Sequence, residues 1–186
     1  MPRLVKTGGL KVEPAVGTPG QGSPQHIALE VPNASSKQKL VHVPYKGAAP
    51  AVADAIGGQI KLAIVGAPPV LPNLKAGKLK ALAVTQSRRT PLASEIPTVE
   101  EATGIKGLDL FTTWYGLLAP AGTPPQAVEA LNKAAATVLG RPEMKAKLAA
   151  LGTDVVALPG ALFADRMKVE LKRYEDVVQR FNIKPE

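Results

Sequence analysis

Three short segments of the chain share one pattern, which predicts the end of a β-strand, a turn of small residues and the start of a helix. The segments are 16–26, 41–50 and 64–69, with the sequences VGTPGQGSPQH, VHVPYKGAAP and IVGAPP. Small residues let a ligand approach the backbone, and a helix start presents free N–H donors and a partial positive charge. If the strands are parallel, the three turns lie at one edge of the sheet and form an anion pocket.

Strand and helix patterns alternate through the first half of the chain. Short apolar runs predict strands at 39–43, 60–65 and 80–85. Between them, the sequence predicts a helix at 50–56 and a short helix that ends at Gly77. This alternation is typical of parallel βαβ units, so we expect an α/β fold.

The helix that follows the first turn contains an internal proline. Ser23 and Pro24 form an ordinary N-cap and first-position pair. Proline inside a helix costs about 3 kcal/mol, so Pro32 predicts a stop or kink near Val31 and a loop over 34–39.

Helical patterns dominate the second half of the chain. The periodicity predicts a one-turn helix at 99–102 and three longer helices at 126–139, 142–151 and 161–181. Thr123 is predicted to cap the first of the longer helices, and residues 153–157 are predicted to form a short strand. An apolar, aromatic run covers 108–118.

The composition excludes several kinds of site. The chain has 186 residues, no cysteine and two histidines, His26 and His42. Disulfides, thiolate zinc sites and cysteine nucleophiles are therefore excluded, and two histidines are too few for a histidine-based metal centre without help from carboxylates. We predict no metal and no cofactor. Residues 1–11 lack the apolar stretch of a signal peptide, so the chain as written is expected to be cytoplasmic.

The positive charge allows two interpretations. The formal net charge is +8, but the Lys and Arg residues are scattered and aromatic residues make up only 4% of the chain. Proteins that bind single-stranded nucleic acid stack bases on aromatic side chains, so a nucleic-acid or other interaction module is the lesser alternative. The favoured interpretation is a basic surface that steers small anionic ligands.

Four motifs, in order, carry a resemblance to a known family. They are VHVPYKG at 41–47, LKAGKL at 74–79, IPTVE at 96–100 and WYGLLAPAGTP at 114–124. The chain resembles the Bug-type periplasmic substrate-binding proteins of tripartite tricarboxylate transporters. Residues 17–26 are similar to the binding loop of that family's second lobe, and 183–186 to its C-terminus.

The resemblance implies a fold and a function. The fold is periplasmic-binding-protein-like, with two Venus-flytrap lobes of parallel or mixed sheets flanked by helices. The function is non-catalytic binding of a small carboxylate (a dicarboxylate, a tricarboxylate or an acidic amino acid) in the periplasm, followed by delivery to a membrane permease. Backbone amides, hydroxyls and ordered waters would hold the carboxylate.

The family's binding positions transfer to all three turns and to the apolar run. The predicted ligand-binding residues are Thr18, Gly20, Gln21, Gly22, Ser23, His26, Tyr45, Lys46, Gly47, Gly66, Ala67 and Trp114. Trp114 falls where the family's chain crosses between lobes, and its alternative role is in the core. Lys46 is either the positive charge of the cleft or a solvated turn residue, and His42 is expected to be packed.

An enzyme is the least favoured function. Ser23 and His26 share a helix face and could suggest a nucleophile and its base. No acid at a recognisable spacing orients the histidine, so we predict no catalysis.

The chain also departs from the family. The family's front part has no counterpart, so one lobe is expected to be incomplete. Residues 1–110 are predicted to form a mostly complete binding lobe with a connector, and 111–186 the hinge strand and helices of the other lobe. The chain is then a fragment, a truncated product or a degenerate copy, or a sensor without a transport role. Helices with uncovered apolar faces are expected to self-associate.

Overall fold

The computed structural model describes residues 13–35, 39–90, 93–108 and 113–181. These residues fall into two compact units. The first unit holds the described residues up to Thr113 together with the end of the last helix from Asp176, and the second unit holds Trp114–Glu175. Expectations for the first twelve residues, for 109–112 and for the C-terminus at 183–186 lie outside the described residues.

The described elements alternate at first and are then helical. They are β1 (Ala15–Thr18), α1 (Pro24–Ser35), β2 (Val41–Pro44), α2 (Ala48–Ile56), β3 (Leu62–Ala63), α3 (Leu71–Lys75), α4 (Val99–Thr103), α5 (Pro125–Gly140), α6 (Pro142–Ala150) and α7 (Gly160–Phe181).

The three strands form one parallel sheet in the order β2-β1-β3. Along β1, Ala15 to Thr18 pair with Val41 to Pro44 of β2, and Val16 and Gly17 pair with Leu62 and Ala63 of β3. Parallel pairing was predicted from the alternation of strands and helices. Because parallel strands end at the same edge, the turns after β1, β2 and β3 all begin at that edge.

The core of the first unit lies where α1 and α2 meet the sheet. Val16 of β1, Leu29 of α1 and Ala51 of α2 are all buried, and Leu29 is 0% exposed. Burial of a valine or leucine side chain contributes about 1.5–3 kcal/mol. These contacts hold the helices, and therefore the turns in front of them, on the sheet.

Helix α1 continues through Pro32, so the predicted stop near Val31 is wrong. Asn33, in the last turn of the helix, forms hydrogen bonds with Leu40, which lies beyond the helix. The Asn33 side chain accepts a hydrogen bond from the Leu40 amide at 2.9 Å and donates one to the Leu40 carbonyl at 3.1 Å. This pair ties the last turn of α1 to the chain that enters β2 and helps to offset the cost of the proline.

Two predicted strands are wrong as well. Of the segment 80–85, Val84 alone forms a β-bridge, with Thr98, and 153–157 forms no ladder in the described structure. The predicted helix at 99–102 is present as α4. Its capping box, in which Thr98 and Glu101 each bond the other's backbone amide, explains why so short a helix forms.

Thr123 does not cap α5, which corrects another prediction. Its hydroxyl donates instead to the Pro120 carbonyl at 2.8 Å. Pro124 occupies the cap position and Pro125 starts the helix. The N-cap therefore lies one residue later than the sequence pattern indicated.

The second unit is held by a small cluster on α7. The Trp114 indole N–H donates to Glu170 Oε2 at 2.6 Å, and Arg166 Nε donates to Glu170 Oε1 at 2.7 Å. The rings of Trp114 and Phe163 meet edge to face, 5.0 Å apart. Neither α5 nor α6 has a buried residue. Large apolar side chains are exposed on α5 and α7: Val128, Leu131, Val138, Leu162, Val169 and Leu171.

The lack of buried residues in α5 and α6 predicts a difference in local stability. We expect their amides to exchange with solvent well before those of α1, whose residues Ile27, Ala28 and Leu29 are buried. Hydrogen exchange followed by mass spectrometry measures this order. Equal protection of α5 and α1 would contradict it.

Gly17 allows a close approach at the centre of the sheet. A Cβ at this position would lie 2.5 Å from Ile60 Cδ1 and 3.0 Å from Tyr45 Cε2. We expect Gly17→Ala to lower the free energy of unfolding by about 1–3 kcal/mol, as overpacked cores do. Urea unfolding measures the loss. Gly66→Ala is the matched control, because its Cβ would meet nothing closer than 3.7 Å, and an equal loss in both variants would argue against overpacking.

Candidate functional site

The carboxyl edge of the sheet brings two of the three turns into direct contact. The first turn covers residues 19–23 and the second covers 45–47. The Gly47 amide donates to the Pro19 carbonyl at 2.8 Å, and the Tyr45 amide donates to the Thr18 carbonyl at 3.0 Å. The position of the second turn therefore depends on that of the first.

Side chains of the first turn and of α1 bond several of the amides at the start of that helix. Ser23 Oγ accepts the His26 amide at 3.2 Å and donates to the Gly20 carbonyl at 2.7 Å. The Gly22 amide donates to His26 Nδ1 at 3.0 Å. Gly22 has a φ of 68°, in the left-handed region that glycine adopts readily. The donors of Gly22 and Ser23 therefore already have acceptors within the chain. Gln21 lies half-buried in the same turn.

Two histidines stack beneath the first turn. His26 is 5% exposed, and its ring lies 3.9 Å from that of His42 at an interplanar angle of 11°. His42 Nε2 is 2.6 Å from Thr18 Oγ1, and the same hydroxyl donates to the Gly20 carbonyl at 3.3 Å. Sequence reasoning expected His42 to be a packed residue, and it is also a partner of two predicted site residues.

Burial keeps both imidazoles neutral. It lowers the pKa of His42 to about 4, with a further contribution from neighbouring His26. Burial also lowers the pKa of His26, although the Glu30 carboxylate, 3.7 Å from His26 Nε2, opposes this shift. At neutral pH the pair is therefore uncharged.

The second turn leads into a helix start that is not capped. The hydroxyl of Tyr45 donates to Asp54 Oδ2 at 2.7 Å, and this hydrogen bond raises the pKa of Tyr45. Lys46 is exposed. Gly47, with a φ of 106°, is the N-cap of α2 and offers no side-chain cap.

Two amides at the start of α2 are unpaired. Within the described residues, no hydrogen bond uses the N–H of Ala48 or Ala49. Sequence reasoning missed these two residues. The signal was a helix that begins after glycine, where Ser, Thr, Asp or Asn would supply a cap.

The remaining predicted residues lie elsewhere. Gly66 and Ala67 follow β3, and the Ala67 carbonyl accepts the amides of Val70 and Leu71 at 2.9 and 3.0 Å. Trp114 belongs to the second unit, where its indole N–H is used by Glu170.

The chemistry available at the edge is hydrogen bonding and charge. Ser23 and His26 direct their side chains to Gly20 and Gly22, so they do not form the hydrogen bond of a nucleophile with its base. Within the described ranges, no group of three or more His, Asp or Glu side chains could hold a metal ion. No described helix is long and apolar enough to cross a membrane.

Residues 7–183 match the family described as the tripartite tricarboxylate transporter family receptor. The chain belongs to this family. The family resemblance and the fold class inferred from the motifs are thereby confirmed, since solved members are periplasmic binding proteins with the same α/β fold.

Curated relatives of this chain come from several bacteria. A Pseudomonas protein encoded in the tcbD-tcbE intergenic region is 32% identical over 164 residues, which are 88% of this chain and 48% of the relative. Protein BugT of Bordetella pertussis is 31% identical over 169 residues, 88% of this chain and 49% of BugT. The chain therefore spans about half the length of these relatives.

Two similar receptor structures contain carboxylates. An R. palustris protein solved with adipate has a TM-score of 0.81 and 32% identity, over 94% of this chain and 57% of that one. MatC from Rhodopseudomonas palustris, with bound malate, has a TM-score of 0.67 and 30% identity, over 89% of this chain and 56% of MatC.

The lowered pKa of His42 predicts how the stability of the chain depends on pH. The folded pKa, about 4, is below the ordinary value of 6.5, so the unfolded chain binds more protons between these values. The contribution of neutral His42 is full above pH 6.5 and is lost as the pH falls towards 4.

The test compares the wild type with His42→Gln, whose amide lies near the position of Nε2 but does not titrate. We expect the free energy of unfolding, measured with urea, to fall more steeply in the wild type between pH 6.5 and 4. The carboxylates titrate in both proteins, so their contribution cancels in the difference between the two free energies of unfolding. Parallel profiles would contradict the assignment.

Proposed function

We propose that this chain is part of a non-catalytic receptor that binds a small carboxylate in the periplasm and delivers it to a membrane permease. Family membership and the relatives solved with adipate and malate support this function. The observation that carries it is the uncapped start of α2, where the unpaired amides of Ala48 and Ala49 lie next to Lys46 in sequence.

We infer that the ligand carboxylate accepts hydrogen bonds from these two amides. A hydrogen bond to a charged group contributes about 1.5–3 kcal/mol, and the helix dipole favours an anion at the same end. Lys46 adds a positive charge. A carboxylate therefore gains contacts here without displacing an acceptor that belongs to the chain.

The remaining predicted residues of the first two turns have supporting roles in this proposal. Gly47 sets the direction of the first turn of α2, and Tyr45 ties the second turn to α2 through Asp54. The first turn, with its partners Thr18 and His26, supports Gly47 through the Pro19 carbonyl. We propose dicarboxylates as the ligand class, since adipate and malate are both dicarboxylates.

Ligand class is tested by thermal shift. We expect adipate or malate to raise Tm, because a ligand that binds only the folded chain stabilises it, and we expect glucose to have no effect. Stabilisation by glucose, with none by either dicarboxylate, would overturn the proposal.

The position of the carboxylate is tested with a matched pair of lysines. Lys46→Gln removes the charge beside α2 and is expected to weaken binding of the stabilising dicarboxylate about tenfold, which is about 1.4 kcal/mol. Lys78→Gln removes an exposed charge that follows α3 and is expected to change affinity less than twofold. Calorimetry measures both, and equal effects would mean that only the overall charge matters.

A further inference from the structure

One cluster of the first unit has geometry that the proposed function does not yet use. His26, at the third position of α1, and His42, in β2, stack on each other, and each also contacts the chain around the first turn. The structure assigns His26 the role of a proton-sensitive positioning residue. Its neutral ring holds the first turn, and through that turn the start of α2, in the form that binds carboxylate. This inference rests on the proposed function.

The hydrogen bond from Gly22 determines the tautomer of neutral His26. The Gly22 amide donates to Nδ1 at 3.0 Å, so Nδ1 carries no proton and the neutral ring carries its proton on Nε2. A second proton binds Nδ1. The N–H of Gly22 and the new N–H of the ring are then two donors that face each other. The bond between Gly22 and His26 is lost in the charged ring.

The first turn connects the bond between Gly22 and His26 to the proposed carboxylate site at the start of α2. Gly22 belongs to the first turn, whose Pro19 carbonyl accepts the Gly47 amide at 2.8 Å. Gly47 is the N-cap of α2 and directly precedes Ala48 and Ala49. Release of the first turn therefore removes a support of the two unpaired amides.

A carboxylate and a second histidine face the His26 ring. Among the described residues, Glu30 on α1 favours the charged form of His26, whereas His42 on β2 stacks at 3.9 Å and disfavours a second charge. The neighbouring strand β1 presents Thr18, which does not titrate. The ring is buried, which favours its neutral form and leaves the first turn fastened at neutral pH.

The sign of the effect separates this role from simple charge attraction. If only neutral His26 supports binding, the apparent Kd rises by the inverse of the neutral fraction. Affinity is then constant at high pH and falls about tenfold for each pH unit below the titration midpoint of His26. A cationic histidine that merely attracted an anion would raise affinity in acid.

The experiment uses three variants and adipate or malate, whichever binds the wild type more tightly. In His26→Asn the side-chain oxygen reaches the position of Nδ1 and accepts from Gly22 without titrating. In His26→Gln the amide extends towards the position of Nε2 and leaves Gly22 without its acceptor. Glu30→Gln removes the carboxylate that favours the proton.

We expect the ratio of the wild-type Kd to that of His26→Asn to rise as the pH falls from 7.5 to 5, since the titration of the ligand cancels in the ratio. His26→Gln is expected to bind more weakly than His26→Asn at every pH. Glu30→Gln is expected to move the fall in wild-type affinity to lower pH. A constant ratio, or a ratio that falls in acid, would overturn the inference.

A second measurement needs no ligand and keeps the two proposals separate. In an NMR titration of the wild type, the Gly22 amide is expected to shift with the same midpoint as the His26 ring. If neither dicarboxylate binds at any pH, the proposed function fails, and the NMR result alone decides whether His26 holds the first turn. A Gly22 amide that does not respond to the titration of His26 would overturn the positioning role.

Discussion

The parallel pairing of β1 with a strand on each side determines the geometry of the first unit. The Thr18 carbonyl accepts the Tyr45 amide and the Gly17 carbonyl accepts the Ile64 amide, so the end of β1 sets where both neighbouring chains leave the sheet. The turns share an edge because of this register and not because of their own residues. Gly17 makes the arrangement possible, since a side chain there would meet Ile60 and Tyr45.

Sequence reasoning succeeded where the signal was local. Alternation of strands and helices predicted the parallel sheet, and the small-residue segments identified its turns. It failed where a distant partner decides the outcome. Residues 80–85 have the composition of a strand, but Val84 alone pairs, with Thr98. Pro32 opposes a helix locally, yet Asn33 bonds Leu40, seven residues later, and α1 continues.

The candidate site shows the same division. The sequence located three helix starts but could not show which of their amides are free, since that depends on side-chain geometry. Ser23 and His26 use the donors in front of α1, whereas Gly47 has no side chain and leaves Ala48 and Ala49 unpaired. The contact of His42 with the site was equally hidden, because it requires the register of β2 on β1 and the position of α1 above both.

The starts of α1 and α2 therefore differ in what a carboxylate gains from them. At the amides of Gly22, Ser23 and His26, an anion would replace an acceptor that the chain already provides, and exchange of one hydrogen bond for another yields little net free energy. At α2, an anion would satisfy the amides of Ala48 and Ala49, which no group of the described chain satisfies. The first turn supports the start of α2, because its Pro19 carbonyl holds Gly47 at the N-cap of α2. If the carboxylate binds as proposed, a change in the first turn alters binding at α2 without touching the ligand.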